Sequence, residues 1–384
     1  VMKILHVITG LENGGAEAVL FRLCTTDKRN SHRVVSLMGD GKYGQLLLDA
    51  NVDVECLNLQ RGRLSLKGTR RLYRIIKGSS CDILQTWMPH ADFLGGVIGK
   101  FARTPNVIWT VHHSNYDSTL TKVGTRFLVR VLSYLSPLVP SLVISCSRVA
   151  LESRLSEGYR PRQALVIPNG YDDQFFTPDR RDQRAYWKGL ELGRETLVVG
   201  MVARFDAQKD HKGLLSAIAQ LPHDVPDFSL LLVGPGMSAE NAMLNAWIEE
   251  AGLTNRVFLL GESVDVPGIM ANLDLHVLAS AYGEAFPNAV AESMAAGTAS
   301  IVTDVGDSAD IVGETGWVVP PRNPTALAAM LDSVLRLGRK HLRAKGWTAR
   351  ERVQTHFSLE KMLNNYGSAY TSLNRVVDKA HKES

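Results

Sequence analysis

Two glutamates, Glu284 and Glu292, stand eight positions apart in the stretch GEAFPNAVAESMAAG. A pair of nearby carboxylates is common equipment for acid/base catalysis. The residues between them favour another use. Pro287 suits the first turn of a helix, where a missing N–H costs nothing. Asn288 to Ala296 read as that helix, and Gly297 as its stop. The amides of Asn288, Ala289 and Val290 would then point outward unpaired, which makes an anion site. Glu292, about one turn on, can accept hydrogen bonds from hydroxyls attached to that anion, as on a ribose. Glu284 lies before the helix and can reach the far side of the phosphates. The pair reads as a clamp on a long ligand of sugar, diphosphate and nucleoside. Two solvated glutamates flanking a buried helix are the bland alternative, and acid/base work is the minor one.

Other chemistry-bearing residues fall at similar places. Arg204 and Lys209, in VARFDAQKDHKG, follow an apolar run by a short loop. Two fixed cations there would neutralise a diphosphate leaving group as its charge builds; surface salt bridging is the default for such a pair taken alone. Gly14 and Gly15, in GLENGGAE, open a helix and let backbone approach a ligand. The spacing is not GxGxxG, which counts against a dinucleotide fold. His112, in TVHH, ends an apolar run and can touch a sugar without acting as a base, or else it is structural; its neighbour His113 keeps the choice of histidine open. His90, in QTWMPHADFLGG, is a candidate for an acceptor side.

These positions need elements to carry them. KILHVI, HRVVSLM, VDVECLNL, DILQTW, NVIWTVHH, LVISCS and ALVIPNG read as strands, with helical periods between them, as in YGQLLLDA and ADFLGGVIGKFA. The polar segment FTPDRRDQRAYWKGLELGRE reads as a linker. The pattern then restarts with TLVVGMVARF, FSLLLVGPG, RVFLLGE, LDLHVLAS and TASIVTDVG. Strands alternating with helices imply parallel sheets. The expectation is an α/β chain of two tandem Rossmann-like domains facing across a cleft, over residues 1–178 and 195–357, with the ligand outside the carboxyl ends of the strands. The tail should be an amphipathic helix whose apolar face holds Leu359, Met362, Leu363, Tyr366, Tyr370 and Leu373.

A chain of 384 residues suits two cores rather than one. It has no run of eighteen apolar residues, and VMKILHVITG is too short and too quickly polar for a signal peptide. The four cysteines form no CxxC pair and read as buried, reduced thiols, so the expected setting is cytoplasmic. No HExxH or clustered ligand set occurs, and no metal or cofactor is expected. The net charge of +4 is uneven: the first 178 residues carry 22 basic and 14 acidic side chains. The densest part is 61–77, RGRLSLKGTRRLYRIIK, where Leu66, Leu72, Ile75 and Ile76 can share an apolar face. This is either a solvated amphipathic helix or a surface for anionic lipid or a phosphate-bearing acceptor. No aromatic-basic interleaving accompanies it, which argues against nucleic acid.

Taken together, GGAE, TVHH, VIPNGYDDQFF, VARFDAQKDH, LLLVGPG, GEAFPNAVAE and TDVGDSADIVGETGWVVPP resemble glycosyltransferases of the GT-B fold in the large retaining family four. The last two, with QTWMPHADFLGG, look like a bacterial subgroup serving surface polysaccharide assembly. The resemblance implies a nucleotide-sugar donor, UDP-linked by preference, and a lipid-linked or saccharide acceptor at the inner face of the plasma membrane. It implies that Gly15 contacts the diphosphate, that Arg204 and Lys209 bind phosphates, that Glu284 binds donor-sugar hydroxyls and Glu292 the ribose. Amides near Phe286, Asn288 and Ala289 would lie beside phosphate and sugar, and His112 by the sugar. Members retain anomeric configuration, need no divalent metal and favour a front-face attack. The resemblance also implies that helix 358–384 completes the first, acceptor-side domain. Gly306-Asp307-Ser308-Ala309-Asp310 departs from the family's paired glycines and glutamate. An epimerase of the same fold, a NAD-dependent dehydrogenase and a noncatalytic sugar-nucleotide-binding protein are the rival readings.

Overall fold

The structure is a computed structural model that describes residues 1–60, 65–113, 123–190, 192–193 and 195–382. Residues 61–64 of the basic stretch lie outside the described residues. The chain forms two compact units, one of residues 1–170 with 359–384, the other of residues 171–358.

The first unit alternates strands and helices: β1 (Lys3–Ile8), α1 (Gly15–Thr26), β2 (Ser31–Ser36), α2 (Gly41–Asp49), β3 (Asp53–Cys56), α3 (Leu66–Ser79), β4 (Ile83–Trp87), α4 (Pro89–Phe101), β5 (Asn106–Val111), α5 (Val123–Leu135), β6 (Leu142–Ser145), α6 (Arg148–Ser156) and β7 (Ala164–Val166). Its sheet is parallel, in the order β3-β2-β1-β4-β5-β6-β7. The second unit holds α7 (Gln183–Tyr186), β8 (Leu197–Val202), α8 (His211–Ala219), β9 (Phe228–Val233), α9 (Ala242–Glu250), β10 (Val257–Leu259), α10 (Val266–Asn272), β11 (Leu275–Leu278), α11 (Asn288–Ala295), β12 (Ser300–Thr303), α12 (Ser308–Val312), β13 (Trp317–Val319), α13 (Pro324–Leu335) and α14 (Gly338–His356). Its parallel sheet runs β10-β9-β8-β11-β12-β13. Helix α15 (Leu359–Lys382) belongs to the first unit.

Central strands are buried along almost their whole length because helices cover both faces of a parallel sheet. Strand β9, FSLLLV, is buried at all six positions. The first core joins β1, β2, β4 and β5 to α1 and to Met362, Tyr366, Tyr370 and Leu373 of α15. In each sheet the strand order reverses once, between β1 and β4 and between β8 and β11. Loops leaving such a point open a crevice that neighbouring connections cannot cover.

Several expectations need correction. The first unit ends at Gly170, not at 178, because segment 171–178 is tied into the second unit. Tyr171 donates its backbone N–H to Phe357, and Arg350 donates to the carbonyls of Asp173 and Phe176. The described part of the expected linker is packed against the second unit around Arg181 and Trp187. Arg181 Nε donates to the Ala271 carbonyl at 2.6 Å, and Trp187 Nε1 to that of Asn272 at 3.0 Å. On α3 the buried residues are Gly68, Leu72 and Ile76, whereas Leu66 is 80% exposed. Strand β13 was not expected. All four cysteines are free, with Cys56 half-buried.

Candidate functional site

In the second unit the site grows from the loops after β8 and β11. After β8, Asp206 caps a short 3-10 turn, Ala207–Lys209, which delivers Lys209 to the carboxyl end of the sheet. After β11, Ser280 and Glu284 face it. Lys209 Nζ donates to Glu284 Oε1, and Ser280 Oγ donates to the same oxygen at 2.6 Å. Burial alone would raise the Glu284 carboxyl. The Lys209 charge, the hydrogen bonds from Lys209 and Ser280 and the Arg204 charge together hold it below the ordinary range. Glu284 is therefore an ionised acceptor at neutral pH and has no proton to give.

The loop is pinned from both sides. Ala281 N donates to the Gln208 carbonyl at 2.8 Å. Asp307 N donates to the Ala285 carbonyl at 2.9 Å. Gly306, at φ +61°, lies so close that a Cβ would stand 2.3 Å from the Glu284 carbonyl oxygen. That is the reason for glycine here, and it places the divergent Gly306–Asp310 stretch directly against the glutamate.

Helix α11 begins after Pro287, which stands one position earlier than expected, as the N-cap, and supplies no side-chain cap. Of the three amides expected to point outward, that of Val290 donates to the Pro287 carbonyl at 3.1 Å. The amides of Asn288 and Ala289 belong to the first turn. Asn288 Oδ1 accepts from the Tyr171 hydroxyl. Tyr171 also stacks on the buried Phe286 ring, 6.2 Å between centroids and 19° between planes. Tyr171, from VIPNGYDD, thus orients the start of α11. Sequence reasoning assigned it nothing, because its partners are more than a hundred residues away. Glu292 is half-buried on the second turn. Arg204 is exposed, with Nε on Asp206 at 3.3 Å and a guanidinium N–H on Gln208 at 3.1 Å. Lys209 is thus held on Glu284, while Arg204 stays at the surface with its charge still acting on the same carboxylate.

In the first unit the relevant loops follow β1, β4 and β5. Gly15 opens α1 behind Gly14, where a Cβ would lie 2.4 Å from Glu17 Oε2. The Glu17 carboxyl therefore folds over the first turn that Gly15 begins, and burial pushes it up to about 7. His112 is half-buried and His113 exposed, which separates the two histidines. The His112 ring stacks on Trp87 at 5.3 Å. Burial, then the charges of His113 and Arg22, lower it to about 3, so it is neutral at pH 7. Its Nε2 is buried and has no hydrogen-bond partner among the described residues. A small cavity beside it is lined by Asp92, Thr110, Arg154 and Tyr159. Burial pushes Asp92 up to about 8 despite a 2.5 Å hydrogen bond from Thr86. His90 is exposed on the first turn of α4.

Comparison with known proteins bears on both units. The family model described as Glycosyltransferase Family 4 matches residues 13–175. The model described as Glycosyl transferases group 1 matches residues 182–351. The chain is similar to the UDP-Gal:alpha-D-GlcNAc-diphosphoundecaprenol alpha-1,3-galactosyltransferase of Escherichia coli, 28% identical over 62% of this chain and 62% of that protein. It is similar to the 2-deoxystreptamine glucosyltransferase of Streptomyces kanamyceticus, 34% identical over 65% of this chain and 66% of that one. The match thus spans just under two thirds of each relative. The crystal structure of Anabaena Alr3699/HepE in complex with UDP-glucose shares the fold, with a TM-score of 0.84, 23% identity, and coverage of 97% of this chain and 100% of that one. No helix among the described residues is long and apolar enough to cross a membrane.

Proposed function

The chain belongs to the glycosyltransferases with paired family 4 and group 1 domains, and on that premise we propose that it moves a sugar from a UDP-linked donor to a lipid-linked or saccharide acceptor in bacterial polysaccharide or glycolipid assembly. The observation that carries the reading is the Lys209–Glu284–Ser280 cluster beside the start of α11, at the reversal point of the second sheet. The Escherichia coli relative's name gives a UDP-sugar donor and a diphospholipid-linked acceptor. The Anabaena protein of the same fold was solved with UDP-glucose.

In this reading the second unit takes the donor and the first the acceptor. Arg204, Lys209 and the amides at Phe286, Asn288 and Ala289 meet the diphosphate. Glu292 accepts from the ribose and Glu284 from the donor sugar. His112, neutral and with Nε2 uncommitted, hydrogen-bonds the sugar, and His90 faces the acceptor. The bond from the anomeric carbon to the diphosphate oxygen breaks, and its electron pair leaves with the diphosphate. Cations lower the barrier because charge grows there. The acceptor oxygen then bonds to the same face of the sugar, and its proton passes to the departing phosphate. Configuration is retained, and no protein nucleophile or divalent metal takes part. We infer also that the basic face of α3 brings the enzyme to an anionic membrane surface; cosedimentation with anionic vesicles tests it.

Incubation with UDP-, GDP- and ADP-sugars, with and without EDTA, tests the main reading through nucleotide release. Release from a UDP-sugar that EDTA leaves unchanged is the expected result. Strict dependence on added metal, or conversion of the donor sugar without nucleotide release as in an epimerase, would overturn it.

A further inference from the structure

Four aromatic rings form a diagonal across the first sheet. His32 pairs in register with Ile4, and His6 lies two residues further along β1. His6 pairs with Gln85, and Trp87 lies two residues further along β4. Trp87 pairs with Thr110, and His112 follows two residues on. Each step crosses one strand and climbs two residues, and a step of two keeps side chains on one face. The centroid separations are 5.2, 5.9 and 5.3 Å.

Hydrogen bonds run through the diagonal in one direction. An indole N–H can only donate, and Trp87 Nε1 donates to His6 Nδ1 at 3.1 Å. His6 must then carry its proton on Nε2, which faces His32 Nδ1 at 2.9 Å. His32 in turn carries its proton on Nε2, which faces Asp27 Oδ2 at 3.3 Å. Asp27 is fixed by the Arg29 N–H, the Arg29 guanidinium and Asn30. Arg29 is anchored on Leu363 and Asn364 of α15. Polar groups in an apolar core cost stability unless each is paired. Every link here is paired up to the last ring, His112, whose Nε2 has no partner among the described residues.

We propose that Asp27, His32, His6 and Trp87 are positioning residues that fix the plane of the Trp87 indole and, by stacking, the plane in which His112 presents Nε2 to the donor sugar. The proposal rests on the role given to His112 above. His6, Cys24 and His32 also place one donor atom each within 4.8 Å of one another, but both nitrogens of each imidazole are already used in the chain.

Nitrogen-15 NMR of histidine-labelled protein reads the tautomers without any activity. Both His6 and His32 are expected as the Nε2–H form. A Nδ1–H form of either, or zinc displacing both signals, overturns the chain. Kinetics test its purpose. Trp87→Phe keeps a stacking ring and deletes the N–H; kcat is expected to fall about tenfold with the donor KM changed by less than about twofold. Added to His112→Ala, it should cost nothing further, because the two act as one unit. Additive losses overturn the positioning role. If Trp87→Phe does not fold, His32→Phe cuts the chain one ring further out and carries the same expectation. A wild type that releases no nucleotide from any donor defeats the proposed function, while the tautomers still decide the chain.

Discussion

At the scale of single residues, Lys209 and Glu284 govern the site. The lysine is nearly enclosed and is the counter-ion of a buried carboxylate. Removing one partner of a buried pair leaves a charge without compensation and costs about 3–5 kcal/mol. Lys209→Ala should therefore destabilise the second unit by about that much in denaturant unfolding, and Glu284→Gln in the same chain should recover part of the loss. The sign of the pH dependence follows from the direction of the shift. Glu284 is held below its ordinary value in the folded state, so the pair stabilises fully above the unfolded carboxyl's pKa. That contribution is lost as pH falls through the folded one. The gap between wild type and Lys209→Ala should shrink in acid; a gap that widens there would contradict the pairing. The choice of Glu284 and Lys209 was legible in the sequence because both follow apolar strands. Their contact was not, since 75 positions separate them.

At the scale of elements, α3 and α11 make opposite points. Helix α11 was readable almost to its ends from Pro287 and Gly297, which act through local backbone geometry. What holds its start, Tyr171, comes from a distant segment. Helix α3 was readable as helical and basic, but its buried face was misjudged at Leu66. Ser65 caps the helix by accepting from Gly68 N at 3.3 Å, and that start leaves Leu66 outside. Arg71 is taken by Glu55 at 2.8 Å. Arg70, Arg74 and Lys77 stay exposed, and Phe101, 77% exposed, lines one groove with Arg70, Tyr73 and Arg74. Cations around exposed apolar groups suit an anionic lipid surface, each near-surface cation contributing about 1 kcal/mol. Replacing Arg70 and Arg74 by glutamate should abolish cosedimentation with anionic vesicles at low salt and leave nucleotide release from a soluble assay unchanged. Wild-type protein that stays in the supernatant would remove the membrane reading.

At the scale of the whole molecule, buried titrating groups set opposing slopes. His6 is held well below its ordinary value by burial and by His32, and burial holds His112, His211 and His276 at about 3, 4 and 3. The unfolded chain binds those protons near pH 6.5 and the folded one does not, so stability falls as pH drops below that value. Asp92 and Glu17 work the other way. Burial raises them to about 8 and 7, so their share falls as pH rises from the ordinary carboxyl range toward those values. Four histidines outweigh two acids below pH 6.5, and the acids act alone above it. The melting temperature should be highest near pH 6 to 7 and lower at both pH 5 and pH 8.5, by scanning calorimetry at fixed salt. A melting temperature that climbs steadily to pH 8.5 would contradict these assignments.

The sequence by itself determined the alternation of strands and helices, the parallel sheets, the positions of Arg204, Lys209, Glu284 and Asn288 in loops or first turns at strand ends, and that of Glu292 one turn into its helix. Those features are written in local periods, in Pro and Gly, and in apolar runs long enough to be buried on both faces. Only the tertiary structure decided which of these residues meet. It joined Lys209 to Glu284, pressed Gly306 against the Glu284 carbonyl, tied residues 171–178 to the second unit, and aligned His32, His6 and Trp87 toward His112. Such contacts depend on strand order and register, which bring together residues that no local spacing relates.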